Sequence, residues 1–189
     1  IIDQISSVDE DGLAHALLAG RLAELQDKPV VAQSIYKTQW EKRAAPELAN
    51  RLYAHLVRTE AGTEIESFID DWILRMPKQS QPLILKAMGH QGRNEIDLAK
   101  ARYMDGLRIS PNSSVALNNL AFILGEEGDP QALEMARRAH ASAPNNPNIL
   151  DTYGWMLVQS GNKEKCIALL EQAAQLAPNN TEILSNLKE

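Results

Sequence analysis

Apolar residues recur at helical spacing along most of the chain, in stretches that short polar breaks separate. After Pro144 the pattern forms two such stretches, at residues 149–160 and 163–176, with Gly161 between them. Apolar residues three and four apart line one face of a helix, whereas glycine favours a turn. This part of the chain therefore predicts a hairpin of two amphipathic helices.

Prolines give this pattern a period. Pro77, Pro111, Pro144 and Pro178 lie 34, 33 and 34 residues apart, and the last three each end an apolar stretch. Because proline cannot donate the backbone hydrogen bond of a helix interior, these positions predict helix ends. One hairpin repeated at this period is typical of arrays in which neighbouring units bury each other's apolar faces.

Two pairs that contain proline also predict helix starts. Asn146 precedes Pro147, and Asp129 precedes Pro130. Asn and Asp side chains accept hydrogen bonds from the first backbone N–H groups of a helix, and proline is favoured at the first helical position. We therefore expect one helix to begin at Pro147 and another at Pro130.

A 34-residue helix–turn–helix unit with small and large residues at fixed positions resembles the tetratricopeptide repeat (TPR). The resemblance is strongest in residues 147–180, where Cys166 stands in a position that alanine usually occupies. The positions that carry it are Leu150, Tyr153, Gly154, Leu157, Gly161, Cys166, Leu170, Ala173 and Pro178. The resemblance implies an all-α fold, a right-handed superhelical solenoid of antiparallel helix pairs.

On this frame we expect five repeats, with a partial one at each end of the chain. Residues 1–12 are the expected tail of a preceding repeat, and residues 181–189 the start of a capping or further helix. The five repeats are 13–45, 46–79, 80–113, 114–146 and 147–180, of which the first two are degenerate.

Residues 110–180 carry a narrower resemblance. Their stretches Ala116–Phe122 and Asn148–Trp155 resemble the TPR lipoproteins that are associated with bacterial PEP-CTERM/exosortase and exopolysaccharide systems. That resemblance implies an outer-membrane-anchored scaffold that faces the periplasm, with its lipidated cysteine upstream of Ile1. The residues themselves leave a cytoplasmic location open.

Composition and charge argue against several classes of function. Apolar residues make up 44% and charged residues 23% of the chain, as in a globular domain, and a formal charge of −6 without a basic patch disfavours nucleic-acid binding. The histidines are too scattered for a metal-binding pair on one helix; they are His15, His55, His90 and His140. Cys166, at a small-residue position, predicts a buried and inert thiol. We therefore expect no catalytic residue, metal site or cofactor.

The TPR resemblance also indicates where a partner would bind. In such arrays the first helix of each repeat lines a concave groove that receives a peptide or a partner helix. Met88, Phe122 and Trp155 stand at the ninth position of the last three repeats, where we expect an apolar stripe. The polar candidates beside them, able to bind a peptide backbone, are Asn118, Asn119, Asp151, Thr152 and Gln159. The alternative is that the aromatic rings pack against the next helix.

The sequence thus favours a non-enzymatic scaffold that binds a protein or peptide in its groove, in a bacterial envelope or exopolysaccharide assembly. A second hypothesis is a regulatory or substrate-recruiting arm of a larger enzyme whose catalytic domain lies elsewhere in the parent protein. A third is self-association through the end repeats, because a solenoid leaves an apolar face at each end.

Overall fold

A computed structural model describes residues 12–176 and 178. These residues form ten α-helices and no strand, which confirms the all-α fold. The helices are α1 Leu13–Leu25, α2 Pro29–Lys42, α3 Pro46–Arg58, α4 Thr63–Arg75, α5 Gln81–Gly92, α6 Ile96–Ile109, α7 Ser114–Glu126, α8 Gln131–Ser142, α9 Pro147–Gln159 and α10 Lys163–Leu176. The expected partial repeats at 181–189 and, apart from Gly12, at 1–12 lie outside the described residues.

Side-chain hydrogen bonds occur at both helix starts that the Asn146–Pro147 and Asp129–Pro130 pairs predict. The Oδ1 atom of Asn146 accepts hydrogen bonds from the backbone N–H groups of Asn148 and Ile149, the second and third residues of α9, at 3.1 and 3.4 Å. This cap confirms the expected start at Pro147. The other expected start is one residue early, because α8 begins at Gln131. Proline has no N–H, so Asp129 caps the first available one, that of Gln131, at 2.8 Å.

The chain divides into two compact units between Lys78 and Gln79. In the first unit, which holds α1 to α4, each helix packs against the next along the chain. Gly20 of α1 lies against the ring of Tyr36, since a Cβ atom at Gly20 would come within 2.2 Å of it. Large side chains fill the rest of the core; they include Tyr36, Trp40, Leu48, Leu52, Leu56, Phe68 and Trp72.

The second unit holds α5 to α10 as three helix pairs, α5–α6, α7–α8 and α9–α10. Successive pairs meet through α6–α7 and α8–α9, and α7 also contacts α9. Small buried residues on the second helix of each pair allow this close approach; they are Ala99, Ala132, Ala136, Ala139 and Ala173. Cys166 is buried among them on α10, as expected.

Candidate functional site

All eight candidate site residues lie in the second compact unit, on the first helix of each pair. Because α7 contacts α9 directly, most of these residues share one pair of adjacent helices. The residues are Met88 on α5, Asn118, Asn119 and Phe122 on α7, and Asp151, Thr152, Trp155 and Gln159 on α9. The candidates thus have a common structural setting.

The aromatic pair at the α7–α9 contact is both packed and accessible. The rings of Phe122 and Trp155 lie 5.6 Å apart between centroids, tilted by 40°. Trp155 is partly buried and packs on the core, whereas Phe122 is 41% exposed. Met88 on α5 is also exposed, at 45%. The ring contact therefore fixes Phe122 in place without covering it, and binding of a partner by these aromatic residues stays a prediction.

Gly125 sets the distance at which these two rings meet. A Cβ atom at this position would lie 2.3 Å from Met156 and 3.1 Å from the Trp155 ring. The missing side chain thus lets α9 approach α7 closely enough for Trp155 to reach Phe122. This glycine supports the site without being part of its surface.

A chain of hydrogen bonds orients two amide side chains, of which Asn119 lies three residues before Phe122 on α7. The buried Tyr103 hydroxyl donates to Oε1 of Gln91 at 2.8 Å and accepts from Nδ2 of Asn119 at 2.9 Å. Burial raises the pKa of Tyr103, although the hydrogen bond from Asn119 acts to lower it, so the hydroxyl stays protonated. Both amides are therefore fixed, and each keeps polar atoms for a ligand.

Of these three residues, the sequence predicts only Asn119 as a site residue; it does not predict Tyr103 or Gln91. Tyr103 lies on α6, the second helix of its pair, and its hydroxyl reaches the first helices on both sides. Gln91 lies three residues after Met88, close to the same face of α5. That spacing is the one signal in the sequence that points to Gln91.

The other polar candidates differ in accessibility. Thr152 is buried, and its hydroxyl donates to the Asn148 carbonyl of its own helix at 3.0 Å, so it does not face a partner. Asn118 is partly buried, and its Oδ1 atom is enclosed without a hydrogen-bond donor. Asp151 is partly exposed and Gln159 is exposed. Of this group, Asp151 and Gln159 have side chains that reach the surface.

The described residues hold no cluster of metal-ligating side chains. None of their helices is long and apolar enough to span a membrane. Burial, with a smaller contribution from the charge of Asp151, raises the pKa of the Cys166 thiol. The thiol that the sequence places at a packing position is therefore the protonated, weakly nucleophilic form.

Two proteins of Pseudomonas aeruginosa are similar to this chain in sequence. A TPR repeat-containing protein is 26% identical over 181 residues, which cover 92% of this chain and 29% of that protein. The type IV pilus assembly protein PilF is 31% identical over 103 residues, or 53% of this chain and 41% of PilF. The matched regions thus span less than half of either relative. No family profile matches the chain.

Solved structures of TPR proteins share the fold. YrrB, described as a TPR protein with an unusual peptide-binding site, superimposes with a TM-score of 0.65 at 14% identity, covering 100% of this chain and 98% of YrrB. Yeast Tom70 gives a TM-score of 0.73 at 16% identity, over 99% of this chain and 41% of Tom70. MamA gives a TM-score of 0.64 at 10% identity, over 86% of this chain and 96% of MamA. The chain has the all-α TPR fold.

Proposed function

We propose that this protein is a non-enzymatic scaffold that binds an extended segment of a partner protein on its α7–α9 surface. This surface is defined by Met88, Gln91, Asn119, Phe122, Asp151, Trp155 and Gln159. The observation that carries the proposal is the exposed Phe122 ring, which contacts Trp155 and lies one helical turn from Asn119, an amide that the Tyr103 hydroxyl orients.

The chemistry of the surface matches that of an extended peptide. Such a peptide offers unpaired backbone N–H and C=O groups together with alternating side chains. Asn119 has one N–H committed to Tyr103 and keeps its Oδ1 as an acceptor, while Gln91 has its Oε1 committed and keeps its Nε2 as a donor. An apolar side chain of the partner would contact Phe122, in the manner of an aromatic anchor.

The proposed setting is an assembly in the bacterial envelope, of the exopolysaccharide type that the resemblance of residues 110–180 implies. A relative that is named for type IV pilus assembly supports an envelope role, and a structural neighbour that is described by its peptide-binding site supports a peptide partner. The partner, the membrane anchor and the periplasmic location are parts of this proposal.

Selection from a random peptide library on the wild-type chain, followed by calorimetry, tests the binding surface. We expect Phe122→Ala to lower the affinity for the selected peptides by about tenfold or more, because aromatic anchors contribute most of the binding energy at such interfaces. Met104→Ala is the matched control, since Met104 is a similarly exposed apolar residue on α6, the second helix of its pair. Equal binding to all three proteins, or no enrichment of any peptide, would contradict the proposal.

A further inference from the structure

A polar cluster in the first compact unit lies outside the proposed binding surface. Its centre is the carboxylate of Glu24 on α1, whose side chain is only 3% exposed. Arg21 Nη1 donates to Oε2 at 3.0 Å, while Arg58 Nη2 and His55 Nδ1 lie 2.9 and 3.1 Å from Oε1. Burial acts to raise the pKa of Glu24, but the hydrogen bonds of Arg21 and His55 and the charge of Arg58 lower it overall.

Positive charge exceeds negative charge at this cluster. Arg21 and Arg58 share the single carboxylate of Glu24. Arg51 precedes His55 by four residues and Arg58 by seven, so it lies on the face of α3 that contacts Glu24. Among the described residues no carboxylate pairs with Arg51. Glu24 is the one carboxylate that is ion-paired with these arginines in the described part of the chain, so the three guanidinium groups outnumber their ion-pair partner by two, in a chain whose formal charge is −6.

The arginines are accessible as well as fixed. The side chains of Arg21 and Arg58 are 50% and 51% exposed, and that of Arg51 is partly exposed. Each guanidinium carries five N–H donors, so the hydrogen bond of Arg21 to Glu24 and the contacts of Arg58 Nη2 with Glu24 and His55 leave most of these donors for a ligand. Because Glu24 already orients two of the groups, binding an anion there costs less side-chain entropy than binding to free arginines.

Apolar side chains flank the arginines on both sides. Leu18 and Leu25 are exposed and lie three residues before and four residues after Arg21, so they share its face of α1. Val57, next to Arg58 on α3, is exposed as well. A ligand chain that ended at the arginines would contact only one of the two leucines, whereas a chain that continued past them would contact both.

We propose that this α1–α3 arginine surface binds an internal acidic segment of a partner protein, in which Asp or Glu residues are flanked by apolar residues. The surface consists of Arg21, Arg51, Arg58, Leu18, Leu25 and Val57. Carboxylate groups match the guanidinium fork in charge and geometry, and the flanking apolar residues match the leucines. The surface lies in the first unit and does not depend on the α7–α9 surface.

Fluorescence anisotropy with two labelled peptide mixtures tests this proposal. One mixture has adjacent Glu residues between two Leu residues, random residues elsewhere and both ends blocked; the other has Gln in place of Glu. We expect the wild-type chain to bind the Glu mixture about tenfold more tightly, with an affinity that falls as NaCl is raised. Equal binding of the two mixtures would overturn the proposal.

Variants then locate the binding. Arg21→Gln with Arg58→Gln is expected to abolish the preference for Glu, but it also leaves Glu24 buried with fewer partners. Arg51→Gln removes no ion pair. We expect it to lower the affinity for the Glu mixture severalfold and to leave the melting temperature unchanged. The matched control is Arg108→Gln with Arg137→Gln in the second unit, which makes the same change in charge.

Three results would count against the surface. The first is an equal loss of affinity in the control variant, which would indicate a general effect of charge. The second is unchanged affinity in the folded Arg51→Gln variant. The third is tight binding only of a Gln peptide with a free C-terminal carboxylate, which would assign the arginines to a chain end. Failure of the Phe122→Ala experiment would leave all of these outcomes unaffected.

Discussion

At the scale of single residues, Gly20 and Tyr36 determine how closely two helices approach. Tyr36 is fully buried, and its ring occupies the space where any side chain at position 20 would begin. Small residues at fixed positions are part of the repeat pattern, but only the structure shows that the ring of Tyr36 packs against Gly20. Asn119 and Tyr103 illustrate the polar counterpart, in which one hydroxyl group orients two amides.

Replacing Gly20 by alanine tests the first contact. We expect Gly20→Ala to lower the free energy of unfolding by about 1–3 kcal/mol, because the ring of Tyr36 must shift to admit the new methyl group. Gly89→Ala is the control, since its nearest neighbour is the end of the Arg93 side chain, at 3.6 Å, and alanine favours the helix by about 1 kcal/mol. Urea unfolding followed by circular dichroism measures both; a Gly20→Ala variant as stable as Gly89→Ala would disprove the contact.

Removing the Tyr103 hydroxyl tests the second contact. We expect Tyr103→Phe to lower the free energy of unfolding by about 1–2 kcal/mol, because two amide groups lose a buried partner. We also expect it to lower the affinity for the peptides selected on the wild-type chain. Tyr153→Phe on α9 serves as the control, as its ring packs on His140 without a hydroxyl hydrogen bond in the described structure. Calorimetry would refute the orienting role if both variants bound peptide as the wild type does.

At the scale of helices, the Glu24 carboxylate ties α1 to α3. Its partners His55 and Arg58 lie more than thirty residues away along the chain, on the last turn of α3. A carboxylate whose pKa is lowered in the folded state adds stability at pH values above its unfolded pKa. That stability is lost as the pH falls through the folded value.

The pH dependence of unfolding measures this link. We expect the free energy of unfolding of the wild type to fall as the pH drops below about 4.5, the ordinary value of a glutamate. Glu24→Gln is expected to be less stable at neutral pH and to show a shallower decline in this acid range. Glu126→Gln, at an exposed position on α7, is the control. Parallel pH profiles for all three proteins would show that Glu24 contributes nothing specific.

Local signals predict the helices well and the sites only in part. The cap at Asn146, the bounds of α10 and the burial of Cys166 are readable because each depends on neighbours in sequence or on a repeat position. The bond between Tyr103 and Asn119 depends on how two helices of different pairs are rotated against each other. Periodicity does not specify that rotation, nor the burial of Thr152.

At the scale of the whole molecule, the repeat pattern predicts the fold but not the division into two units. The period continues across Lys78 without interruption, whereas the structure separates compact units there. Compactness depends on how densely successive helices pack, which apolar spacing does not record. The α7–α9 surface and the α1–α3 arginine surface consequently fall in different units.

Expression of residues 79–189 alone tests the independence of the second unit. We expect this fragment to be helical and to melt cooperatively, because its core is formed by residues from α5 to α10. Leu117→Ala in the same fragment is the comparison. Because Leu117 is fully buried, we expect this substitution to lower the free energy of unfolding by about 2–5 kcal/mol. If circular dichroism shows that the fragment is unfolded, the second unit depends on the first for folding.

The buried thiol of Cys166 has a practical consequence. The sequence contains no other cysteine, and this one is enclosed by Gly154, Leu157 and Leu170 at the contact between α9 and α10. An alkylating reagent can reach the sulfur only when those helices separate. The rate at which the reagent modifies the wild-type chain therefore reports how often α9 and α10 separate. Mass spectrometry measures this rate without any label or mutation.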